Sequence, residues 1–212
     1  MSVPGRFVVL EGPEGAGKST LLRTLAERAR TEGIETVAVR EPGGTPVAEA
    51  ARRILLDHAN APGPEGELFL VLAARADLVR RVIRPALEAG RLVLADRFDL
   101  STYAYQVAGR GLPAEAVAAA NGLATGGLAP DLTLVLDVPP DVGRARQLAA
   151  GKVTDRLDDE DPAFHRRVAD AYLAAQGRGV RHLDAGRPPA EVAEEAWLAI
   201  RQVGGFVRRE EA

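Results

Sequence analysis

Residues 7–10, Phe-Val-Val-Leu, make a short apolar run that leads straight into Gly12-Pro13-Glu14-Gly15-Ala16-Gly17-Lys18-Ser19-Thr20, and a helical pattern follows over 19–32. Two glycines bracket four residues ahead of Lys-Ser, between a strand and a helix, which is the context a phosphate-binding loop requires. The glycines let successive backbone N–H groups curl around phosphate oxygens, and the helix N-terminus adds favourable partial charge. Lys18 is placed to reach β- and γ-phosphates, and the Ser19 hydroxyl to ligate Mg²⁺. The chain has only two lysines, Lys18 and Lys152, against 25 arginines. Keeping an ammonium at position 18 fits a place where a compact point charge is wanted rather than a planar fork. A glycine-rich turn is the plain alternative, and strand, motif and helix in register argue against it.

The same alternation continues along the chain. Gly33 stops the first helix, and residues 36–40 read as a second strand before Glu41-Pro42-Gly43-Gly44 breaks the chain. Residues 47–56 have helical spacing, 60–66 read as a Pro/Gly loop, and 68–87 as one long helix ended near Gly90. A third strand over 92–95 ends at Asp96, and helices follow over 102–108 and 114–124. A fourth strand over 132–136 precedes a helix from Asp141, a polar stretch over 151–161 and a helix opened by Pro162. A fifth strand near 180–183 and a helix over 190–202 complete the pattern. Apolar strands separated by helices predict an α/β domain of the P-loop NTPase type. Its five-stranded parallel sheet is flanked by helices on both faces, with ligands beyond the carboxyl ends of the strands. Residues 1–212 read as a single domain, with a short lid over about 144–161.

Composition narrows the partners. With 27 basic against 30 acidic residues the formal charge is −3, so no global field favours nucleic acid or an anionic membrane. The absence of cysteine excludes disulfides and thiol catalysis. The first strand begins by Phe7, leaving no room for a signal peptide, and no apolar run is long enough to span a bilayer. These features together give the expectation of a cytoplasmic enzyme.

Two strands end in aspartate, and either Asp96 or Asp137 could support Mg²⁺. Asp96 is preferred because Arg97 follows at once and brings a guanidinium where phosphates gather, whereas Asp137 precedes Val138-Pro139-Pro140 and reads as a cap for the next helix. The guanine-reading Asn-Lys-x-Asp string is absent, since neither Asn60 nor Asn121 precedes Lys, which argues against a GTP switch. Phosphoryl transfer also needs cations over the transferred group and exclusion of water. The stretch over 144–161 carries Arg144, Arg146, Lys152 and Arg156; Arg144 and Arg146 fall on opposite sides of a helix, so one at most faces ATP.

Taken together, the motifs resemble those of bacterial thymidylate kinases, nucleoside monophosphate kinases that make dTDP from dTMP and ATP. The likeness rests on Glu11 to Thr20 around the phosphate loop, Arg40-Glu41-Pro42-Gly43-Gly44-Thr45, Arg53-Ile54-Leu55-Leu56-Asp57 and Ala73-Ala74-Arg75. It continues through Asp96-Arg97, Asp99-Leu100-Ser101-Thr102, Ala104-Tyr105-Gln106, Pro130-Asp131-Leu132-Thr133 and Asp155-Arg156. The resemblance implies that Glu14 contacts the 3′-hydroxyl of dTMP and that Glu41-Pro42 is a cis peptide beside the acceptor. It also implies that Arg52 and Arg97 hold the acceptor phosphate, Arg75 reads the thymine edge, Thr102 sits near the base N3 and Tyr105 crowds the 2′ position, with Gln106 completing the dTMP set. Because the phosphate loop has no basic residue at position 14, Arg146, Lys152 and Arg156 become candidates to act on the transferred group with Lys18 and Arg97. A homodimer built on the long helices is implied as well. Two positions depart from the family pattern. Val71 stands where a Phe commonly stacks on thymine, with Phe69 on a different helical face, and Asp158 stands where an acidic Glu is usual. The alternatives are a kinase for another nucleoside monophosphate and, further off, a nucleotide-binding regulator.

Overall fold

The structure is a computed structural model that describes residues 5–151 and 154–204. Five parallel strands run in the order β2 (Thr36–Arg40), β3 (Leu92–Asp96), β1 (Arg6–Glu11), β4 (Leu132–Asp137), β5 (Val180–Asp184). The three central strands are almost wholly buried, as helices on both faces require, while each edge strand has one buried residue, Val39 in β2 and Leu183 in β5. Along β1, Val8 and Leu10 face one layer, with α1 (Lys18–Thr31) and α9 (Pro189–Val203), where Trp197 and Ile200 are fully buried. Phe7 and Val9 face the other layer and meet Leu78, Ile83 and Phe98, with Phe7 and Phe98 edge-to-face at 4.9 Å. The chain leaves β1 for β2 and β3 on one side and then crosses to β4 on the other. The carboxyl end of β1 therefore lies at the point where strand order reverses, which is where such sheets bind ligands.

The remaining elements differ from the sequence expectation in instructive ways. The expected loop over 60–66 is cut short, because α3 (Pro64–Leu78) opens on Pro64. Proline is tolerated there, its missing N–H being one that helix ends leave unpaired anyway, and Glu65 and Glu67 suit the positive end of the dipole. The single long helix expected over 68–87 is broken into α3, a π-helical turn at Val79–Ile83, and α4 (Arg84–Glu88). Pro85 donates no hydrogen bond and its ring crowds the preceding turn, which a widened turn accommodates. A second π-helical segment, Tyr103–Gly109, continues α5 (Asp99–Thr102). The helices α2 (Pro46–Leu56), α6 (Ala114–Thr125), α7 (Pro140–Ala149) and α8 (Pro162–Leu173) lie close to their expected spans, α8 being capped by Asp161, which accepts from Phe164 N at 2.7 Å. Asp137 does not cap α7. Its carboxylate meets His182 Nδ1 at 2.9 Å across the β4–β5 pair, and α7 begins after Pro139 without a side-chain cap.

Candidate active site

One cavity of about 760 Å³ opens over the carboxyl ends of the strands. Its inner wall is the loop between β1 and α1. Gly15 (φ +72°) lies so close to α7 that a Cβ there would sit 2.0 Å from the Gly143 carbonyl oxygen, and a Cβ on Gly143 would sit 2.5 Å from the Glu14 carbonyl. Two glycines thus let the loop and helix meet backbone to backbone. Gly17, also left-handed, precedes the first turn of α1, whose N–H groups have no side-chain cap. Lys18 is buried, and its ammonium donates to the Gly12 carbonyl at 2.9 Å and the Pro13 carbonyl at 2.8 Å. Burial, with Arg97 nearby, lowers its pKa to about 8.

At the end of β3, Asp96 accepts a hydrogen bond from Ser19 Oγ at 2.7 Å. The two expected metal residues are therefore adjacent. A hydroxyl and a carboxylate are hard oxygen donors of the kind Mg²⁺ takes. Among the described residues no group of three or more His, Cys, Asp or Glu has a metal-holding arrangement.

Arg97 stands between the two halves of the cavity. It has φ +75°, a left-handed conformation that costs about 1–3 kcal/mol for a residue with a Cβ. The turn is fixed by Glu11, a fully buried carboxylate at the end of β1 that accepts from Phe98 N at 2.8 Å, Ser101 N at 3.1 Å and Ser101 Oγ at 2.6 Å. Burial raises the Glu11 pKa. The Arg97 guanidinium donates to the Gly12 carbonyl, Ser101 Oγ and Tyr172 Oη through one nitrogen and to Glu14 and Tyr105 Oη through the other. Burial alone would lower its pKa, but the surrounding Tyr105, Tyr172 and Glu14 hold it well above its ordinary value.

On the outer side, Glu41-Pro42 is a cis peptide. Arg52, on α2, donates to the Pro42 carbonyl at 3.0 Å and lines the cavity with Val71, Thr102, Tyr105 and Gln106. Phe69 is 64 % exposed and outside the cavity lining, so Val71 alone stands at the position common to a stacking Phe. Arg75 is almost completely buried, and all three of its guanidinium nitrogens have protein partners: Glu41, Thr102 Oγ1, Asn121 Oδ1 and the Phe98 carbonyl, at 2.6–2.8 Å. A contact from Arg75 to a base edge has to replace one of these bonds. Glu41 Oε1 is buried with no hydrogen-bond partner among the described residues, and burial raises that carboxyl's pKa.

Of the three cations expected over the transferred group, Arg146 lines the cavity and Arg156 does not. Arg146, on α7, donates to the Ala185 carbonyl at 3.0 Å and lines the far end of the cavity near Arg187 and Val192. Lys152 lies outside the described residues. Arg156 is not part of the cavity lining; its guanidinium is bound to the buried Glu67 at 2.6 Å and to the Leu55 carbonyl at 3.0 Å, while its neighbours Asp155 and Leu157 do line the cavity. In this arrangement Arg156 is a tether rather than a free cation over the phosphates. Glu67, Arg110 and Tyr172 are parts of the site that sequence reading does not single out. Glu11 carries a local signal, as a carboxylate directly between a buried strand and the glycine loop.

A family model described as thymidylate kinase matches residues 10–196, nearly the whole chain. The chain belongs to the thymidylate kinase family. Curated relatives agree. The thymidylate kinase of Ectopseudomonas mendocina is 50 % identical over 192 residues, covering 89 % of this chain and 91 % of that protein. That of Thermomicrobium roseum is 49 % identical over 200 residues, covering 93 % and 95 %, and that of Deinococcus radiodurans 45 % over 203 residues, covering 94 % and 98 %. Family membership accounts for the parallel sheet, the phosphate loop and the continuous cavity that joins that loop to the Glu41-Pro42 turn.

Proposed function

We propose that the chain phosphorylates dTMP to dTDP with Mg-ATP as donor, a step towards dTTP. The observation that carries this reading is the position of Arg97, which touches the phosphate loop at Gly12 and Glu14 and lines the same cavity as Arg52, Val71 and Thr102 on the acceptor side. ATP lies along the phosphate loop, with Lys18 turning from the Gly12 and Pro13 carbonyls to the phosphates, which offer stronger charge-assisted bonds. Ser19 and Asp96 hold Mg²⁺, which neutralises phosphate charge when bound. Arg52 and Arg97 hold the acceptor phosphate, and Arg97 leaves Glu14 for it while Glu14 and Tyr105 define the sugar end. Val71 packs on the base, with Glu41, Pro42, Arg75, Thr102 and Gln106 around its edge. The acceptor phosphate is already an anion, so transfer depends on alignment and charge stabilisation rather than on a general base. The segment over 144–161 closes as a lid that excludes water, with Arg146 on the donor nucleotide.

Exposed apolar residues on two helices support a homodimer: Phe69 on α3 and Leu123, 87 % exposed, on α6. A helix as apolar as α6 on its solvent side is normally covered, and a second copy of the chain is the cover we assign. No helix among the described residues is long and apolar enough to cross a membrane, and with nucleotides as substrates the enzyme acts in the cytoplasm.

A coupled ADP-release assay with Mg-ATP and a panel of nucleoside monophosphates tests the reading. Strong stimulation by dTMP is expected. Equal or better turnover of another monophosphate would overturn the substrate, and ATP turnover independent of any acceptor would favour a nucleotide-binding regulator. Light scattering at micromolar concentration should give a dimer mass; a monomer would remove the assigned interface.

A further inference from the structure

A buried cluster of charges lies just behind the acceptor side of the cavity. Glu67, in the first turn of α3, has no exposed side-chain surface. Its carboxylate receives Gln106 Nε2 at 2.7 Å, Arg110 at 2.8 Å and Arg156 at 2.6 Å. Glu160 closes the cluster from the other side, bonded to Arg110 at 2.5 Å and 3.7 Å from Arg156. The backbone joins in: Arg156 N donates to the Leu56 carbonyl at 3.2 Å, and Arg156 Nε to the Leu55 carbonyl, at the C-terminal end of α2. Three separate pieces of chain therefore meet at one carboxylate, and Arg156 joins α2 to them. Two of them also contribute to the cavity wall, one through Gln106 and the other through Asp155 and Leu157, and α2 carries Arg52.

Two arginines on one fully buried carboxylate are stable only when its lone pairs are all used, which is the case here. Such a cluster contributes little net stability over an apolar replacement but fixes a single arrangement of the elements that meet in it. The geometry points to Glu67 as a positioning residue for phosphoryl transfer: it holds the 154–161 segment against α2 through Arg156, so that Asp155, Leu157 and Gln106 form one wall against the bound acceptor. Arg156 then acts through Glu67 and not on the transferred group. This rests on the reading of the cavity as the dTMP and ATP site.

The test combines a mutant cycle with amide exchange in the full-length protein. Glu67→Gln and Arg156→Gln should each lower kcat/KM for dTMP by about 10²-fold through misplacement of the wall. The double variant should be no worse than either single one, because both break the same link. Multiplied losses in the double variant would overturn the proposal and return Arg156 to direct action on phosphate. Amide exchange over 154–161, read by mass spectrometry, should accelerate in both single variants while exchange over β1 and β3 stays at its wild-type rate; unchanged exchange over 154–161 would also overturn it. If Glu67→Gln fails to fold, with Arg110 left buried and unpaired, Arg156→Gln still decides the exchange measurement, since Glu67 then keeps Arg110. If the wild type shows no dTMP-dependent turnover, the functional reading fails separately, and the exchange result still stands or falls alone.

Discussion

The donor and acceptor halves of the cavity are built on opposite principles. The half we assign to the donor is centred on nine consecutive residues, Gly12 to Thr20, and most of what they offer is backbone: carbonyls that hold Lys18 and N–H groups at the start of α1. The acceptor half takes its residues from β2, α2, α3, α5, the π-helical segment after it and the stretch around Asp155. A local loop tolerates change elsewhere in the fold, because its geometry is carried by its own glycines and the strand and helix they join. An assembled wall depends on every element that meets in it, and its arginines are held by carboxylates from other elements, as Arg75 on Glu41 and Arg156 on Glu67 illustrate.

If that contrast is right, Lys18→Met should lower kcat by about 10²–10³-fold, the cost of losing a charge aimed at the reacting group, and leave the KM for dTMP nearly unchanged. A matching rise in acceptor KM in steady-state assays would break the separation. For the wild type, kcat/KM for ATP should decline above about pH 8, because burial lowers the Lys18 pKa to that range and rising pH then removes its charge in the free enzyme. Arg52→Gln should act in the other half alone, raising the KM for dTMP by about 10–100-fold through loss of a charge-assisted bond, with the KM for ATP unmoved. Val71→Phe sharpens the picture further: if an apolar contact stands in for ring stacking, the KM for dTMP should fall by about 2–10-fold. A rise would mean that the cavity has no room for a ring.

The smallest effect lies outside both halves. Burial alone would lower the His182 pKa, but bonds to the Ala175 carbonyl and to Asp137 raise it above the unfolded value of 6.5. The pair therefore stabilises the fold fully below that value and loses its contribution as pH rises through the folded pKa. The Tm difference between wild type and His182→Gln should accordingly be larger at pH 5.5 than at pH 9; an equal difference would mean that His182 is not charged in the folded protein.

This contrast also explains what could be read from the chain before folding it. Strands β1 to β5 and the phosphate loop depend on apolar runs and on glycine and lysine at fixed spacing, all local, and the sequence carries them plainly. Glu67 does not stand out, because a glutamate in the first turn of a helix is the commonest of surface features. Its burial follows from Arg110, 43 residues on, and Arg156, 89 residues on. Tyr172 reaches Arg97 across 75 residues in the same way. Arg156 reads as a free cation in a polar stretch until its partner is known. The π-helical turns escape too, since Pro85 signals a disturbance but not how the helix absorbs it.

The contact between Gly15 and Gly143 has one more consequence. With no side chain at either position, the first turns of α7 rest directly on the phosphate loop, so a side chain at either one would set the spacing between helix and loop. Arg146, three residues beyond this contact on the same helix, is thereby kept close to the loop, with its guanidinium on the Ala185 carbonyl. The phosphate loop is in this sense the seat on which α7 rests, and a methyl group at residue 15 would force the two apart.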